Sequence, residues 1–357
     1  MWNRGVLWCL LALLAACHGK EEQQAQAPLP PALGVLELPV SLRAGDAAPS
    51  DAAKIEVNLS ELRANDQVVV KLDSGKVPAA EQQNGIVPKL KAALQSPAHS
   101  HLSLAAHASL PYETAALVLN TAASAGIHQL AIQVRKSGGS TQTGWLDPSA
   151  FQTTPRSDDE VQIAGVDPRP WDEFANLWQT MHDACRTSQT GSCPYVPEAA
   201  AKGGQLKVVL FASGSGMNLN FSRVGLTPEQ LAAEEQARKS KLAEHKEDVV
   251  QGRMKKSDLE QELTESDPAT DASFQFRARE AVDGPSVLTQ VMEPLCGKRA
   301  CGAVVSAESN TLFVRVVSLI GAAFADGAAP PALAFELPWT EKPKPAPAPA
   351  AAEAEAQ

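Results

Sequence analysis

Long apolar runs are missing from this sequence. The one extended run opens at Gly5, and its roughly 12 apolar residues reach only ~18 Å as a helix, short of a hydrocarbon core of ~30 Å. A membrane-spanning helix is therefore not expected. Aromatic residues make up only 5% of 357, so the core must rest mainly on aliphatic side chains and alanine. A basic excess is also absent. The formal net charge is −10, and no basic patch alternates with aromatics, which argues against nucleic acid as a partner. That acidity bears on solubility more than on fold. Chemical motifs are scarce too. There is no phosphate loop and no His-Glu-x-x-His zinc motif. Gly214-Ser215-Gly216 comes nearest to a nucleophile elbow, but Ser213 and Met217 stand where that motif requires glycine. Ser213–Gly216 lies between two expected strands and reads as a hairpin turn. No catalytic residue, metal or cofactor is expected.

What is present starts with Cys17. Arg4 precedes the apolar stretch, and Leu14-Ala15-Ala16-Cys17 ends it. A basic residue, a short apolar run and small residues make a secretory signal. With cysteine at the cleavage point, the run resembles a bacterial lipoprotein signal. The resemblance implies cleavage before Cys17, diacylglycerol on its sulfur and acylation of the new amino terminus. Residue 18 is His rather than the Asp of an inner-membrane retention signal, so the outer membrane is favoured. Of six cysteines, Cys9 leaves with the signal and Cys17 carries lipid. Cys185, Cys193, Cys296 and Cys301 remain. An even number in an exported chain suggests two disulfides, with three pairings open. The local pairs Cys185–Cys193 and Cys296–Cys301 are the simplest. Zinc is the rival reading, although these spacings differ from tight zinc knuckles.

Composition divides the chain. Residues 1–16 are the signal, 17–33 a Gln-, Ala- and Pro-rich tether, and 340–357 a Pro/Ala-rich tail read as disordered. Two apolar, periodic regions, 34–136 and 170–339, are expected as domains, with 137–169 as a linker rich in Gly and Pro turn signals. The second region carries a charged insertion, 227–267. Thr227-Pro228-Glu229-Gln230 is a capping box with proline at the first helical position. It predicts a helix from Pro228 to about Val250, followed by a shorter one over Asp258–Glu265. Apolar positions are sparse, so the pair reads as a solvated helical hairpin, with a partner-binding arm as the alternative.

A duplication is the strongest internal pattern. Ile86–Gly126 aligns with Val287–Gly327 at an offset of 201 residues without a gap. Leu94 meets Leu295, Ala106 meets Ala307, Tyr112 meets Phe313 and Gly126 meets Gly327. Each copy reads helix, strand, helix, strand, with the glycine as a helix C-cap. Strands precede each copy, at Lys54–Leu59 and Val68–Leu72, and at Lys207–Ala212 and Met217–Arg223. An amphipathic helix, Trp171–Ala184, opens the second region. The predicted fold is α+β: two tandem two-layer sandwiches, each a mixed sheet with helices on one face, the second with the helical hairpin insertion.

The run Leu104-Ala105-Ala106-His107-Ala108-Ser109-Leu110-Pro111-Tyr112, with Leu117-Val118-Leu119 and Ala125-Gly126, resembles the periplasmic domain of the ExbD/TolR biopolymer-transport family. Ala307-Glu308-Ser309-Asn310-Thr311-Leu312-Phe313 has the same spacing in the second copy. Where that family carries Asp, this chain has His107 and Glu308. The family's amino-terminal membrane helix, with its proton-coupled Asp, is replaced here by the lipoprotein signal, so ion conduction is not carried over. The resemblance implies periplasmic domains that dimerise and engage envelope proteins or the cell wall.

Residue by residue, the chemistry is thin. His99, His101 and His107 lie close in sequence, with His128 further on. The second copy has Ala300, Gly302 and Glu308 at the positions of the first three, so these histidines read as surface residues rather than metal ligands. Tyr112 and Phe313 open the second helix of each copy. They read as core packing or, functionally, as weak candidates for the rim of a partner groove. The expectation is a membrane-anchored binding or scaffold lipoprotein facing the periplasm, with envelope proteins or peptidoglycan as partners. The alternative is an accessory subunit of an ExbB/TolQ-type energised complex, contacting stator-like membrane proteins. An enzyme with a divergent site is the lesser alternative.

Overall fold

The computed structural model describes residues 36–46, 49–137, 141–156, 163, 166–167, 169–171, 203–257, 271–276, 292, 296, 301–324 and 330–338. The expected lipid site Cys17, Cys185 and Cys193, and the helix expected over Asp258–Glu265 lie outside these residues. So do Gly327 and all of the helix expected over Trp171–Ala184 except Trp171.

The first copy comprises β1 (Val40–Ser41), β2 (Ala52–Val57), β3 (Glu61–Ala64), β4 (Gln67–Lys71), α1 (Pro88–Gln95), β5 (His101–Ala106), α2 (Tyr112–Ser124) and β6 (Gln129–Lys136). Next come β7 (Thr143–Leu146), β8 (Ala150–Pro155) and β9 (Arg169–Pro170). The second copy has β10 (Gln205–Ala212), β11 (Met217–Val224), α3 (Pro228–Val250), β12 (Asp271–Phe276), β13 (Gly302–Ala307), α4 (Phe313–Ala323) and β14 (Ala332–Leu337).

Two mixed sheets result, and the class is α+β. Their central strands run in the same order, β4-β3-β2-β5-β6 in one and β12-β11-β10-β13-β14 in the other. In each sheet successive strands of the repeat pair parallel: β2 with β5 and β5 with β6, then β10 with β13 and β13 with β14. The hairpin strands β3, β4 and β11, β12 continue each sheet antiparallel.

Local chemistry explains the elements. In β2, Ala53, Ile55 and Val57 are buried while Lys54 and Glu56 point to the opposite face, the period of two that a sheet packed on one side requires. Helix α2 ends where Gly126 adopts φ +91°. The Gly126 amide donates to Ala123 and the Ile127 amide to Ala122, a Schellman closure that only glycine makes without strain. Thr227 and Gln230 form the capping box expected for α3.

Several strands departed from expectation. β3 was not foreseen. It turns into β4 through Asn65-Asp66, both at positive φ, a two-residue hairpin suited to the twist of the strands. In the second copy the corresponding connection, between β11 and β12, holds the charged insertion with α3. The stretch 137–169, expected as a linker, instead supplies strands to both sheets: β7 joins β6, and β8 runs parallel to β14. Ala150–Pro155 is short and its turn residues masked the pattern. The two sheets also share one continuous hydrophobic core, from Ile55, Leu104 and Val118 to Leu210, Val305, Ile320 and Phe335. Among the described residues, no helix is long and apolar enough to cross a membrane.

Candidate functional site

Parallel strands commonly receive ligands beyond their carboxyl ends. In both copies that place is filled by the other copy. After β5 the chain turns through His107–Pro111, and after β13 through Glu308–Leu312. Each turn is closed in the same way, Leu110 N–H to His107 O at 2.9 Å and Thr311 N–H to Glu308 O at 2.9 Å. Each is also tied to the neighbouring strand, His107 N–H to Val57 O at 2.8 Å and Glu308 N–H to Ala212 O at 3.2 Å.

The two turns then meet, antiparallel, at Pro111 and Leu312. The Tyr112 amide donates to Thr311 O at 2.8 Å and the Glu113 amide to Ser309 O at 3.0 Å. In return the Phe313 amide donates to Leu110 O at 2.7 Å and the Val314 amide to Ala108 O at 2.9 Å. Exchanging the copies by the 201-residue offset maps the first two bonds onto the second two. The seam is thus an internal pseudo-two-fold contact, an isologous interface within one chain.

Its physical role follows from the helix starts. The first amides of any helix lack internal partners. Pro111 and Leu312 precede α2 and α4, and neither gives a side-chain cap. Carbonyls of the opposite copy take that place. Each helix therefore depends on the other half for its N-terminal hydrogen bonds.

Tyr112 and Phe313, the candidates for a groove rim, are both fully buried, which corrects that surface reading. They anchor the seam. The Tyr112 hydroxyl lies 2.9 Å from Glu336 O and 3.1 Å from Val305 O, both in the second sheet. Burial first, then the charge of Glu336, hold its phenol far above the ordinary range, so it stays protonated and donates. Between α4 and the β1 segment, Ser318 Oγ donates to Val40 O at 3.1 Å and Arg43 Nη1 to Phe324 O at 3.3 Å. Helix α4 approaches the β1 edge so closely at Gly321 that a Cβ there would stand 2.2 Å from Ser41 Oγ.

The histidines do not converge. Among the described residues no three His, Cys, Asp or Glu side chains are placed to hold a metal ion. His99 Nδ1 lies 3.5 Å from Asp51 Oδ1, and His101 Nδ1 lies 2.8 Å from Ser100 Oγ. His107 corrects the surface reading, since it is buried and its Nδ1 accepts from the Ser109 amide at 3.0 Å. Burial lowers its pKa, against an opposing pull from Glu37. Glu308, its counterpart, accepts from the Gly214 amide at 3.2 Å and steadies the Ser213–Gly216 turn. Cys296 and Cys301 form a disulfide, one of the two local pairs expected.

Away from the seam, the first sheet turns a face outward that the sequence reading did not single out. Lys54 and Glu56 on β2, Ser103 and Ala105 on β5, Ala131 and Gln133 on β6 and Trp145 on β7 share it by strand alternation and register, and of these Ser103 and Ala131 are buried while Lys54 is exposed. No protein-family model, curated protein or solved structure matches this chain.

Proposed function

We propose that this chain is a non-catalytic binding and scaffold lipoprotein of the bacterial cell envelope, held on a membrane by lipid at Cys17 and facing the periplasm. The observation that carries the reading is Leu14-Ala15-Ala16-Cys17 closing a short apolar run. Acyl chains contribute ~0.8 kcal/mol per buried methylene, so several of them make attachment durable without a spanning helix. The resemblance of both copies to ExbD/TolR periplasmic domains supports envelope proteins or peptidoglycan as partners. The buried seam supports a scaffold: it fixes two sheets in one body and leaves their outer surfaces for contacts.

Cell fractionation tests the anchor. The Cys17→Ser variant is expected in the soluble periplasmic fraction while the parent chain stays with membranes. A Cys17→Ser chain that still sediments with membranes would refute the anchor. Crosslinking in intact cells then identifies the partners, and capture of stator-like membrane proteins would favour the accessory-subunit reading.

A further inference from the structure

Beyond its last repeat strand, each sheet carries one further strand in parallel. Val40 of β1 lies opposite Arg135 of β6, and Thr154 of β8 lies opposite Glu336 of β14. Arg135 and Glu336 are equivalent by the 201-residue offset, so β1 and β8 hold the same place in the two copies. Each also reaches the second helix of the opposite copy. Thr153 Oγ1 donates to Asn120 Oδ1 of α2 at 2.9 Å, and Ser318 Oγ of α4 donates to Val40 O at 3.1 Å. The difference lies in how they are held. β8 pairs with β14 over six positions and is entered from β7, so both its ends are fixed within the body. β1 pairs with β6 over two positions and belongs to a strap, residues 36–46, whose amino-terminal side leads to Cys17.

The strap is attached in chain order. Glu37 O accepts from the Ala108 amide at 2.6 Å, and the Glu37 carboxylate lies 3.6 Å from the Arg135 guanidinium. Arg135 Nε donates to Leu38 O at 3.2 Å and the Arg135 amide to Pro39 O at 2.8 Å. Ser41 O then accepts from the Ser137 amide at 3.2 Å, and Gly45 exchanges two backbone bonds of 2.9 Å with Trp145. Nearly all these contacts are polar. Within the strap only Pro39 and Ser41 are buried, so its release returns little apolar area to water. Segments with few buried apolar contacts open at a small fraction of the global stability.

Ala108 joins this strap to the seam. Its N–H is held by Glu37 O, and its carbonyl takes the Val314 N–H at the start of α4. Its counterpart Ser309 takes the Glu113 N–H in the same way, but among the described residues the Ser309 amide has no acceptor of its own. One half of the seam is therefore tied to the amino-terminal segment and the other half is not.

We infer that residues 36–46 are a tension-released clasp on the seam. The clasp rests on the lipid anchor proposed above, which fixes the far side of the segment at Cys17. A pull from that side reaches Glu37 first and loads the contacts one after another rather than together. The first bond to part is the one that holds Ala108. The turn keeps its ties at His107 and Leu110, but the carbonyl that caps α4 loses its fixed position. Continued peeling frees Arg135 and the outer edge of β6. β8, with no free end, stays in place, so tension opens one copy and leaves the other closed.

Optical tweezers on the full Cys17→Ser chain, with one handle on each terminus, test the clasp. A small reversible step should precede global unfolding. Eleven strap residues at ~3.3–3.6 Å each set its extension at no more than about 40 Å. Arg135→Ala removes the Nε bond and the Glu37 ion pair, and should open the step about tenfold faster at a given force. Lys239→Gln, on the exposed face of α3, should leave it unchanged. Hydrogen exchange without load reads the link to the seam. In Arg135→Ala the peptide containing the Val314 amide should exchange about tenfold faster, while β10 keeps its protection. Global unfolding with no earlier step overturns the clasp, and so does a step that Arg135→Ala does not alter. A faster step with unchanged exchange at Val314 overturns the link to the seam. The anchor is read separately. A Cys17→Ser chain that stays with membranes refutes the lipid reading, whereas the step depends on the handle and not on lipid.

Discussion

The two copies differ least where they touch and most where they face outward. At the seam, Leu110 and Thr311, Tyr112 and Phe313, Ala108 and Ser309 differ in side chain, yet all four crossing hydrogen bonds keep the same backbone atoms. On the outer face, Lys54 and Glu56 stand where the other copy has Val209 and Phe211. The hairpin that turns on Asn65-Asp66 in one copy holds a 23-residue helix in the other. Backbone hydrogen bonds tolerate side-chain change, so a duplicated unit can retain its internal interface while each half acquires its own surface. What the seam cannot tolerate is loss of its partner, because the capping of each half's second helix comes from the other half.

That contrast can be broken at the seam first. Phe313→Ala removes a fully buried ring and should cost about 3–5 kcal/mol, the range for large-to-small changes in a core. Its measure is the denaturant midpoint, and Tyr112→Ala should fall in the same range. Gly321→Leu should cost about 1–3 kcal/mol, because α4 has no room beside Ser41. Differential scanning calorimetry would show it as a lower melting midpoint with a single transition. Tyr112→Phe keeps the ring and removes one buried donor, so about 0.5–1.5 kcal/mol is expected. The reverse change, Phe313→Tyr, has no such carbonyl pair assigned to it and should not restore that loss in the double variant.

The smallest effect concerns pH. Burial keeps His107 neutral in the folded chain, with its pKa below the ordinary value of about 6.5. The unfolded chain therefore takes up this proton first as pH falls. The stability contributed is complete above the ordinary value and declines as pH drops below it. Protonation of Nδ1 would also remove the acceptor of the Ser109 amide, in the turn that supplies Ala108 O and Leu110 O to the seam. His107→Gln should flatten the fall in melting midpoint between neutral and mildly acidic pH, and an unchanged slope would exclude His107 as its source.

Much of the fold was legible because side chains wrote it. The 201-residue offset, the capping box at Thr227, the Ser213–Gly216 turn and the C-cap at Gly126 each depend on residue type. The seam was illegible for the opposite reason. Its bonds join main-chain atoms, and Pro111 and Leu312 give no sign of what caps the following helix. Tyr112 and Phe313 were visible as a pair, but burial alone decides between core and rim, and burial needs the tertiary structure. β7 is four residues long and sits among turn-forming residues, too short for periodicity to declare it. The neighbours across the first sheet needed register: Lys54 and Glu56 are ordinary alternation until β5, β6 and β7 are placed beside them.

The central claim is that reciprocal capping makes the two copies one folding unit. Hydrogen exchange read by mass spectrometry on Phe313→Ala tests it most directly, since the substitution lies wholly in the second copy. The account predicts that amides of Tyr112–Ser124 in the first copy lose protection together with those of Phe313–Ala323. Wild-type protection of Tyr112–Ser124 alongside an opened second copy would contradict it.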